Sequence, residues 1–307
     1  MRAEISVRDM EIFHAIATTG STRQAGVQLG ITQSAASHAL ARLEDTLGIR
    51  LFTRENQRLQ IAPAGRYMLD EAVQLLDRLK RIEEEIALFQ ESGLASLRIG
   101  CAPGLGHRFG PRLAQQYVAS HPGTGMALDI AASGRLISEV DGGRLDLALV
   151  SYQIHEPGLI ITPVFAAKMM ALLCRRNRLA ARKRLNYGDL ADQRYIKPIQ
   201  SDHLIYANTS HDRQLDYSLR VSMSALGEVI RLSNGVSLLN ALTAADLCVH
   251  GDLVARPFDS AQWFTFYLVH QHAMKDNRAV ADVLAIAKDC VRQTAEEAGL
   301  AGAFVIH

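Results

Sequence analysis

The chain has 307 residues, 48% of them hydrophobic and 21% charged, with a formal net charge of +1. That length predicts two or more domains, and that composition predicts a folded globular protein rather than a disordered one. The near-neutral total excludes a polycation, and no apolar run reaches the ~18 residues of a membrane span. The opening MRAEISVRDMEIF carries acids from its fourth residue and lacks an apolar segment. It is not read as a secretory signal, and a cytoplasmic protein is expected. Met10, Phe13, Ile16 and Ala17 then repeat at helical spacing, and Gly20 and Ser21 stop that helix and cap the next. A second helix over 22–29 ends at Gly30. Thr32 is placed to cap a third, which runs to about Leu47 with Ala36, Leu40, Leu43 and Leu47 as its buried stripe. Two helices joined by a short Gly-containing turn make a helix-turn-helix. The following IRLFTRENQRLQIAP reads as strand, polar turn, strand, which adds a wing.

From 64 to 90 the chain is one helical run. Leu69, Val73, Leu76, Leu79, Ile82, Ile86 and Phe89 recur at steps of three and four, the seam of a two-helix coil, so a dimer through 64–90 is expected. After the short linker ESGLAS, strand runs such as SLRIGCA and LDLALVS alternate with helical segments such as HRFGPRLAQQYVASHP. This alternation predicts an α/β domain with a mostly parallel sheet. GLIITPVFAAKMMALLC, broken by Pro163 and Lys168, reads as core strands, with a second set of elements starting near Lys168. The chain then returns at WFTFYLVHQ and closes with a helix over 277–299. Cys101, Cys174, Cys248 and Cys290 lie far apart with no C-x-x-C pair, and they read as buried free thiols of a reducing compartment, with a redox sensor as the alternative.

The third helix carries the first functional signal. Its N-terminal half presents Thr32, Gln33, Ser34, Ser37 and His38 where a surface helix usually carries Lys and Glu. In a helix-turn-helix that half enters the major groove. Gln33 can bond two atoms of an adenine edge, and Ser34, Ser37 and His38 can meet base edges or phosphate oxygens. Arg42, Arg50, Arg54 and Arg58 are the side chain type suited to forked phosphate contacts. A capped helix with a weakly polar face is the plainer reading. The turn at Gly30, the arginine-bearing wing and the coil behind it favour a DNA-reading one.

These same residues carry a family resemblance. FHAIATTGSTRQAGVQLGITQSAASHALARLEDTLGIRLFTRENQRLQIAPAG is similar to the DNA-binding segment of LysR-type transcriptional regulators in T-Q-S-A-x-S, R-L-E-x-x-L-G-x-x-L-F-x-R and x-P-A-G. Two positions depart from the family. Gly26 stands where Ala is common, which weakens the second helix by up to ~1 kcal/mol. Ala62 replaces a frequent Thr before P-A-G, removing a hydroxyl that can contact phosphate. The resemblance implies a winged helix-turn-helix over 1–63, a dimerisation helix over 64–90 and a two-lobed, periplasmic-binding-protein-like α/β effector domain over 91–307. Lobe I is expected at about 95–163 and 266–307, and lobe II at about 164–265. It also implies a pseudo-palindromic double-stranded operator read by a dimer or a tetramer of paired dimers. Changes in lobe closure would alter the spacing of the reading heads, and RNA polymerase is a further expected partner. CAPGLGHRFGPRLAQQYVASHP and NALTAADLCVHGDLVARPF are similar to segments of the lysine-biosynthesis and opine-catabolism regulators. This implies an amino-acid-like effector such as diaminopimelate, an opine or a basic amino acid; an aromatic or other organic acid is the alternative.

An effector in such a fold lies where strands end, between the lobes. Pro103, Gly104 and Leu105 follow SLRIGCA, where free backbone N–H groups can hold a carboxylate. Ser133 follows MALDIAA, and Gln200, Ser201 and Asp202 follow RYIKPI, with Asp202 suited to an ammonium. Ser222 and Ser224 precede a helix, and Asn240 follows GVSLL. Each alone is explained by a cap or turn; together at strand ends they mark a crevice. His270-x-His272 lies at the end of a predicted strand whose alternation puts both on one face, but it lacks a neighbouring carboxylate or Cys, so no metal is expected. Gly104-x-Gly106 lacks the third Gly of a dinucleotide fingerprint, and no P-loop, G-x-S-x-G or H-E-x-x-H occurs. No catalytic residue and no cofactor are expected. The rivals to a ligand-responsive regulator are an enzyme with a regulatory N-terminus and an architectural DNA-binding protein that senses nothing.

Overall fold

A computed structural model of the chain describes residues 5–55, 58–92, 95–151, 156–199 and 219–307. They form two compact units, Met1–Glu91 and Ser92–His307. In the first, capping side chains set the helix boundaries. Ser6 and Asp9 bond each other's backbone N–H as a capping box at the start of α1 (Val7–Thr19). Ser21 caps α2 (Thr22–Leu29), and the Thr32 hydroxyl accepts the Ala35 N–H at 3.1 Å to start α3 (Gln33–Leu47). All three helices end on a left-handed glycine: Gly20, Gly30 and Gly48. The wing is an antiparallel hairpin of β1 (Phe52–Glu55) and β2 (Arg58–Ile61). Phe52 packs its ring 5.7 Å from that of Phe13, in one core with Ile16, Ala36, Leu40 and Leu43.

Two glycines here are required by close approach. A Cβ on Gly26 would stand 2.8 Å from the Ile31 carbonyl oxygen. The residue that weakens α2 therefore also lets the turn close against it. A Cβ on Gly65 would stand 2.2 Å from the Leu51 carbonyl oxygen. Gly65 lies at the start of α4 (Pro63–Ser92), whose first turns belong to the winged core: Met68 and Ala72 are buried there, with Leu69 and Leu76 against them. Farther along, Ile82 is 48% and Ile86 53% exposed, so the apolar seam leaves that core and continues to solvent.

The second unit is built around one strand. β3 (Ala95–Cys101) pairs in parallel with β4 (Thr124–Ile130) and β5 (Leu147–Val150). α5 (Phe109–Ser120) and α6 (Ser133–Asp141) lie between them in sequence. β6 (Leu159–Cys174) follows, then the short α7 (Tyr187–Leu190), β7 (Ile196–Pro198), β8 (Leu219–Val221), α8 (Met223–Ser233), β9 (Val236–Asn240) and α9 (Ala241–Leu247). β10 (Leu253–Pro257), β11 (Trp263–Gln271), α10 (Arg278–Glu297) and β12 (Phe304–Ile306) complete the unit. The large sheet runs β10-β6-β11-β5-β3-β4, with β9 and β12 also on β6, while β7 and β8 pair separately. Along β5, Leu147 and Leu149 enter the core with Leu113, Val283 and Cys290, while Ala148 and Val150 join Leu136, Val140 and Val269. Both faces of the sheet are thus covered.

Three sequence expectations are corrected. The sheet is mixed rather than mostly parallel: every ladder involving β6 or β11 is antiparallel. The alternation of strand and helix holds as far as β5, but β10 leads into β11 without a helix, and both pair with β6. The run broken at Pro163 and Lys168 is one strand of 16 residues. Pro163, which has no N–H, sits at a bulge: Phe266 faces Phe165 and Tyr267 faces Pro163, leaving Val164 as the extra residue. Lys168 is exposed and places its ammonium 5.1 Å from the Trp263 ring centre. Finally, His270 and His272 do not share a strand face. β11 ends at Gln271, His270 is buried with Nδ1 2.9 Å from the Gln271 carbonyl, and His272 is exposed in a 3-10 turn.

Among the described residues, no group of His, Cys, Asp or Glu is arranged to hold a metal, and no helix is long and apolar enough to cross a membrane. Cys101, Cys174 and Cys290 are buried and Cys248 half-buried, all as free thiols. Burial pushes the Cys101 thiol up to about 12. Gly65→Ala forces a backbone contact apart and is expected to cost about 2 kcal/mol or more. Urea unfolding of the full chain followed by circular dichroism reads this as a lowered midpoint of the first transition; an unchanged midpoint contradicts it.

Candidate nucleic-acid interface and ligand crevice

α3 divides into a bare half and an anchored half. Gln33, Ser34, Ala35, Ser37 and His38 are all exposed, while Ala36 and Leu40 on the opposite face are buried. Thr32 stays at the helix start, its hydroxyl 3.0 Å from that of Ser34. The exposed surface is made of short hydroxyls, one amide and one imidazole, which offer donors and acceptors without long flexible stems. Such a surface can approach the floor of a groove closely.

The anchored half contains a residue that sequence reasoning missed. Glu44 is buried, and one carboxylate oxygen accepts the Leu51 N–H at 2.7 Å and the Phe52 N–H at 3.1 Å. The other oxygen binds Arg50 at 2.7 Å. A single carboxylate thus fixes α3 to the start of the wing. The signal was present: Glu44 is four residues after Leu40, on the stripe otherwise made of Leu40, Leu43 and Leu47.

Asp9, also buried, receives the Arg42 guanidinium at 2.6 Å and ties α1 to α3. Burial acts to raise the Asp9 pKa, but hydrogen bonds from Ser6 and Arg42 outweigh it and hold the carboxyl below its ordinary value. Arg42 and Arg50, expected to reach for DNA phosphates, therefore each bind a carboxylate of their own unit. Both guanidinium side chains nevertheless remain 68% and 72% exposed. Arg54 lies opposite Leu59 and Arg58 opposite Glu55 in the wing hairpin; the placement of their side chains lies outside what is described. Ala62 is buried immediately before α4.

In the second unit, the C-terminal ends of β3, β4 and β5 are adjacent, with Cys101 paired to both Ile130 and Leu149. Pro103–Leu105 forms a 3-10 turn just beyond β3, and the Gly104 carbonyl accepts the Thr243 hydroxyl at 2.9 Å. Asn240 caps α9 through the Thr243 N–H and donates to the Thr243 hydroxyl at 2.8 Å. Pro103, Gly104 and Asn240 thus come together. Leu105 is wholly buried, so its side chain is core.

Four of the backbone N–H groups after β3 have partners. Leu105 donates to Ala102, Gly106 to Pro103, and Arg108 and Phe109 to the Asp246 carboxylate. Ser133 is buried, with its hydroxyl 3.2 Å from that of Ser151 and accepting the Ser151 N–H. Ser222 stands at the N-terminal end of α8, its hydroxyl 3.0 Å from that of Ser224. Gln200, Ser201 and Asp202 lie outside the described residues.

Comparison with known proteins decides the family. Residues 7–66 match the model described as "Bacterial regulatory helix-turn-helix protein, lysR family", and residues 90–291 match "LysR substrate binding domain". The chain belongs to the LysR family. It is a LysR-type DNA-binding transcriptional regulator and not an enzyme. The transcriptional activator protein LysR of Escherichia coli K12 is 29% identical over 273 residues, 87% of each chain. The regulatory protein NocR of Agrobacterium fabrum is 26% identical over 298 residues, 94% of this chain and 97% of that one.

Solved structures share the fold. Full-length CbnR complexed with its target DNA aligns with a TM-score of 0.63 at 17% identity, covering 94% of this chain and 100% of that one. A full-length OxyR variant from Pseudomonas aeruginosa aligns at 0.60 and 18% identity, covering 93% and 98%.

In this LysR-family regulator, Glu44→Ala leaves two buried N–H groups without their acceptor. It is expected to cost about 3 kcal/mol, and Glu44→Gln, which keeps one acceptor, clearly less. Equal urea midpoints for the two variants would rule out the anchoring role.

Proposed function

We propose that α3 enters the major groove of a pseudo-palindromic operator, one copy per half-site, with Gln33, Ser34, Ser37 and His38 reading base edges and Thr32 setting the helix start. The observation that carries this reading is the exposed N-terminal half of α3, free of long charged side chains and held from behind by Glu44. Arg54 and Arg58 on the wing, with Arg42 and Arg50, supply sequence-independent attraction to phosphates. For Arg42 and Arg50 a phosphate shares the guanidinium with Asp9 or Glu44, since the fork has five donors. The exposed seam of α4 at Ile82 and Ile86 supports self-association through that helix as a dimer, with a tetramer of paired dimers as the assembled form.

The effector of this reading is a small amino-acid-like molecule. It is held where β3, β4 and β5 end, by Pro103, Gly104, Leu105, Ser133, Gln200, Ser201, Asp202, Ser222, Ser224 and Asn240. The support is the meeting of Pro103, Gly104 and Asn240 at one point, together with the likeness to the lysine-biosynthesis and opine-catabolism branch. Effector occupancy alters the fit of the assembled heads to the operator, and RNA polymerase is the further partner.

Two experiments test these readings. Gln33→Ala is expected to lower affinity for the specific duplex by about tenfold while leaving random duplex nearly unchanged. Arg54→Ala is expected to weaken both and to reduce the salt slope by about one. Equal losses on both duplexes from both variants would sink this division of roles. Thermal-shift screening of amino acids, opines and aromatic acids is expected to raise the melting midpoint with one amino-acid-like compound. A rise confined to aromatic acids identifies the other effector class, and flat curves throughout count against the crevice.

A further inference from the structure

Two buried polar atoms on different elements meet no protein partner, and both residues line one cavity. His107, between the 3-10 turn and α5, is hydrogen bonded to the backbone of Met223 at the start of α8. Its Nε2 is buried with no protein partner, so the bond to Met223 is made by Nδ1. Burial lowers the pKa of this imidazole, and the neutral ring with its proton on Nδ1 carries a lone pair at Nε2.

Asp246, near the end of α9, is 5% exposed. Its Oδ2 accepts the N–H groups of Arg108 at 3.2 Å and Phe109 at 3.1 Å, capping α5 from a distant part of the chain. Its Oδ1 is buried and has no protein partner. Both residues line a cavity of about 430 Å³, whose wall also carries Ser224, Glu228 and His250.

The chemistry of a ligand follows from what the wall lacks. Asp246 Oδ1 and His107 Nε2 are both acceptors, so the missing partner is a donor. The cavity is more than ten times the roughly 30 Å³ that one water occupies, so it has room for a small organic molecule. The cations of the wall are already engaged: Arg231 binds Asp252 and Glu228, and Arg108 lies 3.4 Å from Glu297. Arg108 and Arg112 favour ionisation of Asp246 from a distance, but burial outweighs them and pushes its carboxyl up to about 6. At neutral pH this is a buried carboxylate with one bare oxygen, and an ammonium group provides both the charge and several N–H donors.

We propose that this cavity between α8 and α9 binds the ammonium head of a small basic ligand, an amine or a basic amino acid, through Asp246 Oδ1 and His107 Nε2. The site is separate from the crevice at the strand ends, with which it shares Ser224, and it does not depend on that reading. Ser224, proposed above for the crevice, also lines this cavity.

The test uses the full-length protein and isothermal titration at pH 7.5 with n-butylammonium, L-lysine and butyrate. Asp246→Asn is nearly isosteric: its carbonyl keeps the two helix N–H bonds, and its amide NH₂ puts a donor where Oδ1 was an acceptor. Wild type is expected to bind both amines and not butyrate, and Asp246→Asn to bind them at least about tenfold more weakly. His107→Phe, which has no lone pair, is expected to weaken them severalfold.

Wild-type affinity should also fall between pH 7.5 and pH 5 as Asp246 takes up its proton. The charged and titratable groups around it are Arg108, Arg112, Arg231, Glu228, His250 and His107. The Asn variant should lose most of that pH dependence. If n-butylammonium fails to bind wild type, or binds the Asn variant equally well, the proposal is overturned. Lysine binding that survives Asp246→Asn but not Ser133→Ala places the amino acid in the crevice and overturns its part in this site.

Discussion

A helix that offers bare, short polar side chains to a partner must be held entirely by its other faces. That constraint organises the N-terminal unit. Glu44 ties α3 to the wing through two backbone N–H groups, Asp9 ties it to α1 through Arg42, and Ala36, Leu40 and Leu43 seat it in the core. Both carboxylates lie away from the exposed half of α3, and both draw on arginines that remain largely exposed. Breaking a buried pair of this kind leaves a desolvated charge or unpaired N–H groups, which costs far more than a surface ion pair returns. The arrangement fixes the angle between helix and wing.

In the second unit the equivalent constraint is covalent. β6 is a single strand whose first half pairs with β11 and β12 and whose second half pairs with β9 and β10. Elements from both parts of the unit are therefore registered on one piece of backbone. The bulge at Val164 lets a proline sit within that strand and gives the carbonyl of Val164 to the C-terminal His307. Around the ends of β3, β4 and β5, the polar groups mostly satisfy one another. Asn240 and Thr243 close onto Gly104, and Ser133 onto Ser151, so these groups are oriented by their neighbours.

What was legible in the sequence was local. Ser21 and Thr32 before helices and Gly20 and Gly30 after them mark the three-helix unit, because caps and left-handed glycines act within a few residues. The wing followed from strand, turn, strand in IRLFTRENQRLQIAP. The mixed sheet was not legible, since strand direction beyond β5 depends on which distant strand β6 receives. Pro163 was read as a break because a bulge cannot be seen in one strand alone. Asn240 was visible as a polar residue after a strand, and its cap is the ordinary role such a residue has. Asp246 was invisible for a different reason: its carboxylate caps a helix from which it is far removed in sequence.

The burial of Met68 and Ala72 has a practical meaning for dissection of the molecule. The DNA-reading unit is not finished where its wing ends at Ile61, because part of its interior is supplied by the first turns of α4. A fragment cut just past the wing would carry an open hydrophobic socket into water. One that extends beyond Leu76 takes its own lid with it.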